Sequence, residues 1–140
     1  MNTPADPTEL RGAVGERGPR AYVLTVSPGG QPHAVHLVVQ WDADALVAEV
    51  GATTAANASA RPAVSVLYPV RGDDDYSLIV NGTAVVESRD GRHRLRIAPT
   101  RAVLHRDGPP ADPATATCTA DCVPVLAAPG AAGPGAPSRA

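Results

Sequence analysis

Residues that could perform chemistry are few and widely spaced in this 140-residue sequence. His33 and His36 lie in one predicted strand, and because their separation is odd they project from opposite faces and cannot bind one metal ion together. Cys118 and Cys122 form a Cys-x-x-x-Cys pair with no further metal ligands nearby. The spacing shows no nucleophile–base–acid arrangement and no paired carboxylates, so we assign no catalytic residue and no metal site. Any reaction would depend on a bound cofactor.

A short polar cluster opens an alanine-rich segment in the middle of the chain. Thr53, Thr54 and Asn57 follow Gly51, and the segment ends before Arg61 and the proline after it. This pattern predicts a short helix with a threonine cap, and a polar residue one turn later would stabilise such a helix without any ligand. The same polar residues could instead contact a ligand, so both interpretations stay open.

Three arginines alternate with other residues at the start of the last predicted strand. Arg92, Arg94 and Arg96 would project from one face, where they could bind a phosphate or an acidic partner. A solvated strand face explains them equally well, because charged side chains also discourage edge pairing.

Charge and hydrophobicity exclude two classes of partner. The formal net charge is −2, from 12 cationic and 14 acidic residues, which is not the electrostatic footprint of a nucleic-acid-binding protein. No apolar run approaches the length of a membrane span, and the N-terminus lacks the pattern of a signal peptide. We therefore expect a cytoplasmic protein with neither a nucleic-acid nor a membrane partner.

Short strand patterns separated by turns predict the fold class. Six segments carry β-branched residues or alternate apolar with polar positions, and one short helix follows the third. The six segments are 22–26, 34–41, 46–50, 63–68, 76–87 and 92–105. We predict a mainly β protein, a six-stranded antiparallel split β-barrel with one or two short helices.

Composition divides the chain into three parts. Residues 107–140 contain 7 Pro, 4 Gly and 10 Ala, which is 21 of 34 positions, so we expect a flexible tail. Residues 1–18 form an N-terminal segment, and residues 19–106 form the barrel domain. A body this small buries only about 60% of its unfolded surface. Pairing two copies would cover further apolar surface, which predicts a homodimer.

The order and spacing of several short motifs carry a family resemblance. Between about Arg20 and His105, the sequence resembles the pyridoxamine-phosphate-oxidase-like, FMN-binding split-barrel family. The motifs are Gly30-Gln31-Pro32-His33, Trp41-Asp42, Gly51-Ala52-Thr53-Thr54-Ala55-Ala56-Asn57, Arg61-Pro62-Ala63-Val64-Ser65, Leu78-Ile79-Val80-Asn81-Gly82-Thr83-Ala84 and Ile97-Ala98-Pro99. The family implies a homodimer with two flavin sites at its interface.

The resemblance implies a cofactor site at the start of the predicted helix and along the second strand. Gly51, Thr53, Thr54 and Asn57 would hold the FMN phosphate, because a helix start offers free N–H donors and the positive end of its dipole. The flavin ring would lie along the second strand, with His36 near the ring. The strand residues are Val35, His36, Leu37 and Val38.

The implied function is FMN binding and, if the protein is an enzyme, a flavin-dependent oxidoreductase activity on a small-molecule substrate. Thr54 stands where many relatives carry a basic residue, and the sequence contains no lysine. This departure favours the alternative of a split-barrel module without its own catalysis. Such a module is either cofactor-free or binds a deazaflavin coenzyme or haem.

Overall fold

The computed structural model describes residues 7–72, 75–107 and 120–126. Within these ranges two helices and eight strands follow one another along the chain. They are α1 (Pro7–Arg17), β1 (Arg20–Val26), β2 (Pro32–Val38), β3 (Gln40–Asp42), β4 (Ala45–Val50), α2 (Ala52–Ala60), β5 (Ala63–Tyr68), β6 (Ser77–Arg89), β7 (Arg92–Asp107) and β8 (Ala120–Leu126). The prediction of a mainly β protein with one or two short helices is confirmed, and the prediction of six strands is wrong.

The strands form one antiparallel sheet that curls back on itself. Its order is β2-β1-β5-β6-β7-β4-β3, and β8 pairs with β7 off this path. β2 and β3 are consecutive in the chain and are separated by Val39 alone, yet they stand at opposite ends of this order. The chain therefore closes the sheet at Val39, which is 2% exposed and donates its N–H to the Pro19 carbonyl at 2.7 Å.

This closure explains one of the two extra strands. The sequence predicts a single strand over 34–41, and the alternation of buried and exposed residues does continue without a break through this region. The hydrogen-bonding partner changes from β1 to β4, however, so the run is divided into β2 and β3. Side chains alternate between the two faces of a strand whichever strand it pairs with, so their periodicity does not indicate a change of pairing partner.

The longest strand, β7, pairs with three others. One edge pairs with β6 along the strand, while the other pairs first with β4, from His93 to Ile97, and then with β8, from Ala102 onward. Pro99 lies between the two partners on this second edge, where its missing N–H removes no ladder bond to either. The register also shifts at Gly82 on β6, which leaves Thr100 as the extra residue of a bulge.

The second extra strand, β8, lies inside the segment predicted as a flexible tail. Its proline-rich and alanine-rich surroundings gave no strand signal, and Pro124 itself lies within it. A strand forms there because the second half of β7 offers an open edge, and edge strands tolerate proline. Val125 is 4% exposed and anchors β8 on the core. The remainder of the predicted tail, 108–119 and 127–140, lies outside the described residues.

The inward faces of the strands form one hydrophobic core, which the two helices extend. Leu10 and Val14 of α1 are 2% and 4% exposed, and Ala58 of α2 is fully buried. Tyr68 is packed in this core, and burial raises its pKa to about 12. No helix among the described residues is long and apolar enough to cross a membrane.

Candidate functional site

The start of α2 is exposed and has no side-chain cap. Gly51 is the N-cap residue, with φ −81° and ψ 176°, and its carbonyl accepts the N–H of Ala55 at 3.0 Å. The predicted threonine cap is wrong, because the helix begins at Ala52 and Thr53 already lies in its first turn. Gly51, Ala52 and Thr53 are all exposed. The first-turn N–H groups therefore face a region that an anion could reach.

Two of the four predicted phosphate residues face the other way. Thr54 and Asn57 are 2% and 3% exposed, on the side of α2 that packs against the barrel. The Asn57 side-chain amide donates to the hydroxyl oxygen of Thr25 on β1 at 3.1 Å, and Thr25 is itself 1% exposed. This buried hydrogen bond ties α2 to β1, so Asn57 has a structural partner. Of the predicted four, only Gly51 and Thr53 lie at the surface.

Arg61, the cation nearest to this helix in the sequence, lies at the far end of it. Arg61 is the C-cap residue of α2, and nine helical residues span about 13 Å at 1.5 Å per residue. Its guanidinium Nε donates to the carbonyl of Val26 at 2.7 Å. Arg61 therefore adds no charge at the exposed first turn.

The side chains of β2 alternate as predicted between two faces. Val35 and Leu37 are half-buried and pack against the core, whereas His36 is exposed and Val38 is 40% exposed. The His36 ring stacks on Tyr22 of β1, with ring centroids 4.7 Å apart and an angle of 26° between the planes. Of the four predicted ring contacts, only His36 and Val38 can meet a ligand on the outer face through their side chains.

A groove connects β2 with the end of β4. It consists of two cavities, of about 330 Å³ and 910 Å³, that share Arg94. The first is lined by Val38, Gln40, Val47, Ala48, Glu49 and Arg94. The second is lined by Glu87, Ser88, Arg89, Asp90, Arg92, His93 and Arg94. His93 of the second cavity pairs with Val50, which directly precedes Gly51, so this cavity lies on the strand next to the end of β4.

Arginines and carboxylates are paired on the strands beside the groove. Arg94 lies 3.2 Å from Asp42 and 3.4 Å from Glu87, and Arg96 lies 2.8 Å from the same oxygen of Asp42. The hydrogen bond and the charge of Arg96, assisted by Arg94, hold the pKa of the Asp42 carboxyl below its usual value. Arg92 lies 3.9 Å from Glu49. The predicted common face of the three arginines is confirmed, and each has an acidic neighbour within the chain.

The groove contains residues that the sequence did not single out. Gln40, Val47 and Glu49 reach it because β4 pairs with both β3 and β7, and pairing between distant segments leaves no local signal. The alternating arginines were the one indication of this groove in the sequence, because a row of cationic side chains must face either solvent or acidic residues.

Two mycobacterial proteins are close in sequence. The uncharacterized proteins Mb0449c of Mycobacterium bovis and MT0457 of Mycobacterium tuberculosis are each 36% identical to the chain over 119 residues, covering 75% of this chain and 84% of theirs. No protein-family model matches the sequence.

Solved structures share the fold at low sequence identity. A candidate pyridoxamine 5'-phosphate oxidase from Listeria innocua superposes with a TM-score of 0.60 at 17% identity, over 69% of this chain and 97% of the other. An F420 reductase superposes with a TM-score of 0.52 at 19% identity, over 62% of this chain and 90% of the other. The haem storage protein HutZ of Vibrio cholerae superposes with a TM-score of 0.53 at 16% identity, over 69% of this chain and 91% of the other. The chain therefore belongs to one family with Mb0449c and MT0457, and its fold is that of the pyridoxamine 5'-phosphate oxidase-like split-barrel proteins.

Proposed function

We propose that the protein is a flavin-binding module that holds FMN in the groove between β2 and the start of α2. The observation that carries this proposal is the groove itself, which begins at the outward face of Val38 and includes His93, the residue that pairs with Val50 just before the exposed, uncapped first turn of α2. FMN has a flat ring and an anionic tail. An apolar strand face can contact the ring, and a helix start can bind the anionic tail. The fold shared with an F420 reductase and an oxidase candidate supports the same class of ligand.

The anionic end of the ligand would meet neutral donors. Gly51 leaves open space beside its Cα, with no atom within 4 Å of a hypothetical Cβ, and Thr53 adds an exposed hydroxyl next to the first-turn N–H groups. Thr54 and Asn57 would contribute by holding the helix on the barrel, because both are buried. The helix dipole replaces an ammonium group as the source of positive potential.

The flavin ring would lie against the outer face of β2. Val38 gives an apolar contact at one end of the groove, and the stacked pair of His36 and Tyr22 lies on the same face. β2 pairs only with β1 among the described strands, so its other edge offers backbone groups to the polar edge of a ring. When bound, FMN supplies hydride transfer, and this chain would bind and orient the cofactor beside a small-molecule substrate.

The partner of this module is a second copy of the chain. Tyr22 pairs with His36 on one side and with Leu67 on the other, and Leu67 pairs with Ile79. This row crosses four strands on the outer face, where Tyr22 is 38% exposed, and covering such an apolar row favours association. We expect a homodimer by light scattering, and Leu67→Arg should give a monomer. Val70→Arg, at an exposed valine outside the sheet, should stay dimeric.

Quenching of FMN fluorescence tests the proposal. We expect saturable quenching at one FMN per chain, and at least about tenfold weaker binding after Val47→Trp, which fills the groove, a loss of about 1.4 kcal/mol. Val70→Trp is the matched control, because it introduces the same side chain on a surface away from the groove. No quenching with FMN at about 1 mM, which would leave less than about 4 kcal/mol of binding free energy, would refute the proposal.

A deazaflavin or haem ligand is the second candidate. Either of these ligands is favoured by the uncharged donors at the start of α2. An exposed threonine and a helix start attract the phosphate dianion of FMN less strongly than a lysine would. The fold shared with HutZ and with an F420 reductase supports the same alternative. Parallel titrations with the deazaflavin coenzyme and with haemin separate these ligands from FMN, and a protein that binds none of the three would be a cofactor-free module.

A further inference from the structure

One arginine lies beside the end of the groove that β2 forms. Arg20 of β1 pairs directly with Val38 of β2, and both residues are exposed. Val38 lines the smaller cavity of the groove, of about 330 Å³. Residues that pair directly across two antiparallel strands lie on the same face of the sheet, with their Cβ atoms about 5 Å apart. The side chain of Arg20 therefore starts next to the wall of the groove.

The chain supplies no counter-charge to Arg20. Arg20 forms no ion pair with any residue that the structure describes. It is the only arginine in β1, β2 and β5, the three strands at this end of the sheet, and these strands contain no acidic residue. Glu49 lines the same cavity as Val38, but its carboxylate lies 3.9 Å from Arg92. The charge of Arg20 is thus available to an anion from outside the chain.

The surface next to Arg20 can hold the body of such a ligand. Tyr22 follows two residues later on β1 and stacks on His36 of β2, and Val38 is 40% exposed. A flat or apolar body on this surface would bring an attached anion within reach of the guanidinium group. A guanidinium is planar and binds a carboxylate through two parallel N–H···O hydrogen bonds, which gives the contact a preferred geometry as well as a favourable charge.

We propose that Arg20 binds the anionic group of the substrate, and that the substrates are small molecules in which a carboxylate adjoins an apolar or aromatic body. This inference rests on the proposed function, because that function places the flavin ring on the same outer face of β2. The phosphate of FMN has its own donors at the start of α2, which leaves Arg20 for the substrate. Arg20 also lies outside the row of residues that the second copy of the chain covers.

Two probes of equal shape and different charge test this inference. We use 4-fluorobenzoate and 4-fluorobenzamide, and we follow their binding to the FMN-loaded protein by ¹⁹F NMR titration. We expect saturable binding of 4-fluorobenzoate and at least about tenfold weaker binding of 4-fluorobenzamide. Arg20→Gln should weaken the binding of 4-fluorobenzoate at least about tenfold and change that of 4-fluorobenzamide less than about twofold.

Arg101→Gln is the matched control. Arg101 is also exposed and has no ion pair within the described ranges, but it lies on β7, pairs with Asn81 and lines neither cavity of the groove. The substitution removes the same charge from the surface of the protein. It should leave the affinities for both probes unchanged.

Fluorescence quenching by FMN separates this inference from the proposed function. Both variants should bind FMN as the unmodified protein does. If Arg20→Gln weakens FMN binding about tenfold and leaves riboflavin binding unchanged, Arg20 holds the phosphate of the cofactor, and the inference is overturned while the proposed function stands. Normal FMN binding without a preference for 4-fluorobenzoate, or with equal losses in the two variants, would also overturn the inference alone. No quenching by FMN would overturn both.

Discussion

A lysine placed at each of two adjacent threonines tests the orientation of the proposed phosphate site. Thr53 is exposed in the first turn of α2, whereas Thr54 is 2% exposed and faces the barrel. Thr53→Lys should therefore bring an ammonium group to the anionic end of bound FMN, and Thr54→Lys should bury one in the protein.

The expected gain for Thr53→Lys is modest. At a separation of about 6 Å in water, a unit charge and a phosphate dianion attract by about 1.4 kcal/mol, and screening at 0.1 M salt removes roughly half of this. The unfavourable position of a cation at a helix start is present with and without ligand, so it lowers stability but does not cancel the gain in affinity. We expect FMN to bind about threefold more tightly, which corresponds to about 0.7 kcal/mol.

The expected result for Thr54→Lys is a loss of stability. Burial shifts the pKa of a lysine by about 3 units or more, at about 1.4 kcal/mol per unit, so the free energy of unfolding should fall by about 4 kcal/mol. FMN affinity of any folded fraction should not rise, because the ammonium group has no access to the first turn.

FMN fluorescence quenching gives the affinities, and urea denaturation gives the stabilities. Thr53→Gln is the uncharged control, and it should lack the salt-dependent gain in FMN affinity that we expect for Thr53→Lys. The gain from Thr53→Lys should shrink as salt is raised. A stable Thr54→Lys variant that binds FMN more tightly than Thr53→Lys would show that the side of α2 assigned to the ligand is wrong.

Three further predictions concern stability. Gly82→Ala should lower the free energy of unfolding by about 2 kcal/mol in urea denaturation, because a Cβ there would lie 2.6 Å from a backbone oxygen, and Gly12→Ala, with nothing within 4 Å, should cause no loss. In a double-mutant cycle, Asn57→Ala and Thr25→Val should show a coupling of about 1 kcal/mol through their buried hydrogen bond, and additive losses would contradict it. The pKa of the Asp42 carboxyl is lowered from 3.8, so its contribution to the free energy of unfolding should be present above about pH 4 and lost as the pH falls through the folded-state pKa. The difference in urea midpoint between the unmodified protein and Asp42→Asn should therefore become smaller as the pH is lowered through this range.

Much of the barrel could be predicted from local patterns. The strand at Ala63–Tyr68 has the predicted limits because alternating β-branched residues lie between a proline and a turn. The hairpin between β6 and β7 follows from Asp90 and Gly91, whose φ values of 53° and 77° belong to the turn type that an Asp-Gly pair favours. Local chemistry determines these features, so a single sequence reveals them.

The remaining features depend on contacts between distant segments. β8 exists because β7 has an open edge, and the division at Val39 reflects a change of partner rather than a change of pattern. At the candidate site, the sequence placed Thr53 and Thr54 together, yet adjacent helical residues point about 100° apart and only one of them reaches the surface. The groove needs β4 and β7 side by side, and no local spacing encodes that pairing.

The division of one edge of β7 between two partners has a consequence for motion. Among the described strands β8 pairs with β7 alone, so it can separate while the pairing of the other strands remains intact. The first half of β7 pairs with β4 on one side and β6 on the other, and it can separate only if both of these pairings are lost. Amide hydrogens of β8 should then exchange with solvent through a local opening, whereas those from Leu95 to Ile97 should exchange only through global unfolding.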